Sequence, residues 1–181
     1  YLEAKVICEN VWGKEHPAYA SSLSNLGFLY WKMQQFEKAE PLHLEAKAIR
    51  EKALGKDHLD YALSLTYLGL LYDSKGQYER VEPLHLEAKA IREKALGKEH
   101  PDYAESLFNL ALVSMRKGQF GKAESAFLEA KTIFEKTLGK DHLFYASSLN
   151  LLGYLYSNIG QYERAEPLLH EFKDITEKTL G

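Results

Sequence analysis

At 181 residues, with 45% hydrophobic and 27% charged side chains, the chain has the composition of a packed protein and not of a disordered segment. A net charge of -3 and a pI near 6.2 exclude a surface built to release counterions from a phosphate backbone, so no nucleic-acid partner is expected. Cys8 is the only cysteine, which excludes an intrachain disulfide and fits a cytoplasmic setting, while the lack of an apolar run near the ~20 residues of a membrane span, and of a signal peptide, gives no membrane partner.

A 42-residue period orders the chain. Glycine recurs at Gly13, Gly55, Gly97, Gly139 and Gly181, and His16, His58, His100 and His142 keep the same step. So do Tyr19, Tyr61, Tyr103 and Tyr145, then Leu23, Leu65, Leu107 and Leu149, and a column of isoleucines from Ile7 to Ile175. The segments starting at Glu40 and at Glu82 both read EPLHLEAKAIREKALGK, which points to recent duplication.

In chain order, residues 1–13 read as the end of a preceding repeat, with Tyr1 in the column of His43. Four full repeats follow, 14–55, 56–97, 98–139 and 140–181, expected to form one continuous repeat domain. The chain thus starts inside a repeat and stops at a repeat boundary without a polar capping element, as a fragment of a longer array would.

Within a repeat, Ala62, Leu65, Leu68, Gly69 and Tyr72 fall at spacings of three and four, one face of an amphipathic first helix. Lys75-Gly76-Gln77 breaks it, since glycine accepts the left-handed conformation that ends helices. Tyr78, Val81, His85, Ala88 and Ile91 then give a second helix of about 17 residues, ~26 Å long at 1.5 Å per residue, stopped by Gly97. Pro101 suits the opening position of the next first helix. Pro41, Pro83 and Pro167 are expected in or near the first turn of the second helices, where the lost bond matters least.

Fixing one 42-residue hairpin costs roughly 40 to 80 kcal/mol of backbone entropy, so it cannot fold alone. Stacking is obligatory, and the fold class expected is all-α: an α-solenoid of antiparallel helix pairs wound into a right-handed superhelix.

Leu26-Gly27, Tyr30, Phe36, Ala39 and Ala46, recurring as Leu68-Gly69, Tyr72, Tyr78, Val81 and Ala88, resemble the tetratricopeptide repeat (TPR). The longer step and stretches such as LGKEHPDYAESLFNLA and GQYERAEPLL are similar to its kinesin-light-chain variety, over the whole chain. The resemblance implies a peptide-binding scaffold and a piece of a longer bacterial array. The small residues at 27, 69, 111 and 153 and the Gly-Gln-aromatic turn favour this family over HEAT and armadillo repeats.

No chemistry of bond-making stands out. Helix axes pack ~8 to 10 Å apart, whereas zinc needs its ligand nitrogens at ~2.0 to 2.1 Å, so the histidine column cannot share one metal. Those histidines are expected to bond backbone at the start of each first helix, and His43 and His85 to pack or face solvent. Cys8 shares the column of Arg50, Arg92 and Phe134 and has no supporting base. The run LEAKAIREK reads as a solvated helix face. No enzyme, cofactor or metal is expected.

The family resemblance places a concave wall on the first helices. The candidate protein-binding residues there are Ser24, Asn25, Phe28 and Trp31; Thr66, Tyr67, Leu70 and Asp73; Phe108, Asn109, Leu112 and Met115; and Asn150, Tyr154 and Ser157. Ser21, Leu63, Glu105 and Ser147 continue the same face. The column Phe28, Leu70, Leu112, Tyr154 either fills the space between first helices or lines a groove. Trp31, Phe108 and Met115 break their columns and read as contact residues. The paired asparagines that kinesin-light-chain repeats carry are replaced here by Ser24-Asn25, Thr66-Tyr67, Phe108-Asn109 and Asn150-Leu151, so an acidic-peptide preference does not transfer. Lys32 and Arg116 lie only at the edge, too few for a chaperone-tail clamp. The expected partner is a protein or peptide segment with hydrophobic side chains. The alternative is a structural arm that sets spacing or associates with itself end to end.

Overall fold

His16, His58, His100 and His142 each start a helix. Their backbones are extended, and each Nδ1 accepts a hydrogen bond from the N–H two residues on, at Ala18, Asp60, Asp102 and Phe144, over 3.1 to 3.2 Å. This is the backbone-bonding role expected of the column, with imidazole as the cap for an orphan N–H.

The computed structural model describes residues 2–180; Tyr1 and Gly181, with the column assignments made for them, lie outside the described residues. Among the described residues there are nine helices and no strand: α1 (Leu2–Trp12), α2 (Pro17–Lys32), α3 (Phe36–Leu54), α4 (Leu59–Ser74), α5 (Tyr78–Leu96), α6 (Pro101–Arg116), α7 (Phe120–Leu138), α8 (Leu143–Asn158) and α9 (Tyr162–Leu180). The chain is an all-α solenoid. It gathers into two compact units, residues 1–95 and 96–181. In the first, α3 packs on α2 and α4, and α1 on α2; in the second, α7 packs on α6 and α8, and α9 on α8. None of the described helices is long and apolar enough to cross a membrane.

The turns within repeats follow the glycine expectation at Gly76, Gly118 and Gly160, all at positive φ. In the first repeat the same position is Gln34, which adopts φ 58° without glycine's freedom.

Three expectations need correction. The second helices run 19 residues, beginning directly at the aromatic after the turn. Pro41, Pro83 and Pro167 are each the sixth residue of their helix, in its second turn, so each helix forgoes one interior bond yet stays continuous. The run LEAKAIREK is not wholly solvated: Arg50 is 2% exposed and Arg92 is buried as well. Its Lys–Glu pairs behave as expected, with Lys47–Glu51 at 3.4 Å and Lys89–Glu93 at 3.7 Å, and Glu45, Ala48 and Lys52 are exposed.

Packing between paired helices is set by the small column. A Cβ placed on Gly27 would sit 2.8 Å from His43 Nε2, and one on Gly69 2.6 Å from the His85 ring. Gly153 meets Leu169 in the same way, and Ala111 lies in the core that holds Phe127. His43 and His85 are therefore packing residues. Cys8 packs against the core cluster formed by Tyr19, Ala20, Leu23 and Ala46. Full burial of a leucine such as Leu65 is worth about 1.5–3 kcal/mol, and every first helix repeats one there.

Candidate protein-binding faces

In the first unit, α2 and α4 bring together an aromatic group. The Trp31 Nε1 donates to Ser74 Oγ at 2.9 Å, which ties the C-terminal turn of α2 to that of α4. The Phe28 ring lies 5.3 Å from Trp31 and 6.1 Å from Tyr67. Lys32 covers the pair, its Nζ 4.9 Å from the Trp31 ring and 5.4 Å from Phe28, within cation–π range. Beside them an open cleft of about 390 Å³ is lined by Trp31, Lys32, Gln34, Phe36 and Ser74.

Around this group the expected residues divide. Asn25 is exposed, Phe28 is 37% exposed, and Trp31, Tyr67, Leu70 and Asp73 are half-buried. Ser24 and Thr66 are buried and turn inward: Ser24 Oγ accepts from Arg50 Nη1 at 3.0 Å, and Thr66 Oγ1 donates to the Ala62 carbonyl at 3.2 Å. These two are corrected from partner-facing to internal. Arg50 also donates to Ser64 Oγ at 2.8 Å and Ser21 Oγ at 3.2 Å, so three hydroxyls from α2 and α4 hold one buried cation of α3.

In the second unit the face on α6 and α8 is more deeply packed. The Phe108 ring meets Phe127 edge-on at 5.4 Å and borders both cores of the unit; Leu112 and Met115 pack on the core around Phe127. Phe108 and Met115, expected as contact residues, thus have core neighbours that the sequence did not reveal. Asn109 is buried, and its Nδ2 has no hydrogen-bond partner among the described residues. Asn150 is exposed, Tyr154 is 56% exposed, and Ser157 is half-buried, donating to the Gly153 carbonyl at 2.9 Å. The column left open between core and groove is split accordingly: Leu70 and Leu112 are half-buried, Phe28 and Tyr154 exposed. Ser157 also borders an open cleft of about 500 Å³ with Tyr162, Ala165, Glu166, Leu169, His170 and Lys173. No three His, Cys, Asp or Glu side chains among the described residues come together to hold a metal.

Gln34, Ser74 and the α9 residues of the second cleft were not singled out in the sequence, Lys32 was read only as an edge residue and Phe36 only as part of the family pattern. A signal existed at Gln34, which stands where later repeats have glycine.

One device joins successive repeats. In the first unit Glu40 accepts from Tyr72 Oη at 3.1 Å and Lys75 Nζ at 2.6 Å, and the Arg80 guanidinium stacks 3.6 Å over the Tyr72 ring. In the second unit Glu124 accepts from Tyr156 Oη at 2.8 Å and Arg164 at 2.6 Å, with Arg164 3.9 Å over the Tyr156 ring. The Lys75 bond leads in holding the Glu40 carboxyl below the usual carboxylate range, and the Tyr156 bond does so at Glu124. Burial pushes Tyr156 up to about 12, so its hydroxyl stays a donor.

Residues 19–94 and 106–177 match the family model of the tetratricopeptide repeat. Among solved structures, BtubC (BKLC) from P. vanneervenii is 26% identical over 98% of this chain and 69% of its own, with a TM-score of 0.80. A P. anserina protein described as a kinesin light chain with nearly identical TPR-like repeats is 28% identical over 99% of this chain and 84% of its own, with a TM-score of 0.75. RapI in its apo form, 19% identical over 88% of this chain and 56% of its own at a TM-score of 0.76, shares the fold alone. No curated protein matches the chain.

Proposed function

Since the chain belongs to the tetratricopeptide repeat family, whose repeats serve as protein-interaction scaffolds, we propose that it is a non-catalytic scaffold holding a peptide or protein segment on its first-helix face. The likeness to kinesin-light-chain repeats supports reading that face as the concave one. The observation that carries the reading is the Phe28–Trp31–Tyr67 group with Lys32 above it and an open cleft beside it. Exposed aromatic surface fixed by a hydrogen bond loses little freedom on binding, and aromatic residues dominate interface energetics. The segment that suits it is extended or helical, with apolar side chains against the rings and its own polar groups toward Ser74 and Gln34. A cytoplasmic setting suits a chain with one cysteine.

The test is selection from a displayed peptide library. Sequences enriched on the wild-type chain should lose binding at least ~tenfold on a Phe28→Ser, Trp31→Ala variant of unchanged helicity. Enrichment of the same sequences on both chains would place binding elsewhere.

A further inference from the structure

Behind the aromatic group of the first unit lies a buried ring, His43 of α3. It is 2% exposed, and its imidazole fills the space that Gly27 of α2 leaves open, 2.8 Å from where a Cβ would stand. The same ring lies 5.3 Å from that of Tyr67 on α4, tilted by 31°. Tyr67 in turn meets Phe28 at 6.1 Å, and Phe28 meets Trp31 at 5.3 Å. Four rings from three helices thus form one chain, which starts in the interior at His43 and ends at Trp31, itself bonded to Ser74 of α4. Packed interiors have low compressibility, so a displacement at one end of such a chain is passed along it.

Hydrogen bonding does not account for an imidazole at position 43. Its Nδ1 is buried without a hydrogen-bond partner among the described residues. Phe127 and Leu169 stand in the same column, Phe127 fully buried against the core that holds Ala111 and Leu169 against Gly153. An apolar side chain therefore satisfies the helix pair. What a ring adds at position 43 is the contact with Tyr67.

We propose that His43 is a positioning residue for the first-helix binding face: wedged between Gly27 and Tyr67, its uncharged ring holds Tyr67 against Phe28 and so fixes the aromatic surface on which a bound segment rests. The inference rests on that reading of the face and adds its control. Arg50 of the same helix acts on the imidazole as a like charge, Tyr67 is the titratable group that α4 sets against it, and α2 sets Gly27 there, which carries no charge. A proton on His43 meets no carboxylate among these neighbours, so the charged ring reaches water only by leaving Gly27. Tyr67 then loses its support. The neutral form is the binding form, so affinity is full at neutral pH and is lost as pH falls through about 4, the value to which burial, then Arg50, lowers the histidine.

The experiment is isothermal titration of the library-selected peptides into the wild-type chain, His43→Leu and His43→Phe, all first shown equally helical. Both substitutions are residues that the column itself carries. At pH 7.5 His43→Leu, without a ring, should bind about tenfold less tightly, and His43→Phe, with one, within about twofold of wild type. Relative to His43→Phe, which takes up no proton, the wild type should lose about half its affinity by pH 4, where half of His43 is charged. Without peptide, the indole N–H resonance of Trp31, assigned by comparison with Trp12→Phe, should move in His43→Leu and keep its place in His43→Phe. A His43→Leu chain with wild-type affinity and an unmoved Trp31 resonance overturns the positioning role and leaves the binding face standing. Equal weakening in both variants overturns it as well, because a ring at position 43 would then not suffice. A wild-type chain on which no peptide is enriched overturns the reading of the face itself, and the Trp31 resonance still decides whether His43 holds the aromatic group.

Discussion

Arg50 Nη1 of α3 lies 2.8 Å from Ser64 Oγ of α4, and the guanidinium is held by serine hydroxyls with no carboxylate in ion-pairing range among the described residues. Its Nε has no hydrogen-bond partner among the described residues, and burial leads in lowering its pKa. A buried cation held this way gains less from its partners than an ion pair would, while the cost of desolvation is of the same kind. The same column holds Phe134 in a later repeat, fully buried, so an apolar side chain can fill the space. Arg50→Met is therefore expected to leave stability unchanged or raise it by about 1 kcal/mol, whereas Arg50→Ala, which leaves a cavity and strands Ser24, should cost about 2–4 kcal/mol. Urea unfolding of the two variants checks this. A Met variant as unstable as the Ala variant would mean that the serine bonds outweigh desolvation.

The contact of Gly27 with His43 gives a second expectation. A methyl at position 27 would stand 2.8 Å from the imidazole, closer than real Cβ contacts. Gly27→Ala should cost about 1–3 kcal/mol by overpacking. In a His43→Ala background the ring is gone and that cost should fall by at least ~1 kcal/mol, a coupling that a double-mutant cycle measures directly. Additive costs would show that the helices spread to admit the methyl.

His43 and His85 also set the acid limb of stability. Burial, then the neighbouring arginine, lowers each pKa from 6.5 to about 4. Between these values the unfolded chain binds protons that the folded chain does not, so stability rises with pH there. The contribution is fully present above pH 6.5 and is lost as pH falls toward 4, by about 3 kcal/mol per histidine at most. Glu40 and Glu124, lowered from 4.5, lose their contributions further down. Urea midpoints measured from pH 7.5 to 4 should fall steadily, and His43→Leu, His85→Leu, which places the residue of position 169 opposite glycine, should flatten that fall. A double variant with the wild-type slope would assign it to other groups.

The period, the histidine caps and the glycine turns were legible because each depends on a residue's own backbone neighbours. Arg50 was not. In the sequence it stands in a run of charges, and its burial follows from Ser21, Ser24 and Ser64, brought from two other helices by stacking. Ser24 and Thr66 were misplaced for the same reason, since a first-helix face is wet or dry according to the helix beside it. Phe108 broke its column, which reads equally as an exposed anchor or as a plug for a local gap. Phe127 across the helix pair makes it partly the second. Trp31, Phe28 and Tyr67 kept their surface because the neighbouring side chains there are Ser74 and Lys32, too small or too polar to bury them.

Gln34 tests the proposed binding face from the side of stability. It holds φ 58° where Gly76, Gly118 and Gly160 hold 73°, 69° and 76°, and a side chain in that region costs ~1 kcal/mol that glycine avoids. Gln34→Gly should therefore stabilise the chain by about 0.5–1 kcal/mol, read as a higher urea midpoint. The side chain that is lost lines the cleft beside Trp31 and Lys32, where its amide can both donate to and accept from a bound backbone. Peptides selected on the wild-type chain should accordingly bind the more stable variant about threefold to tenfold less tightly, the trade expected when a strained residue is kept at a binding site. Isothermal titration against the selected peptides decides it: a stabilised variant with undiminished affinity would leave Gln34 as a local imperfection of the first turn and move the peptide's contacts away from the cleft.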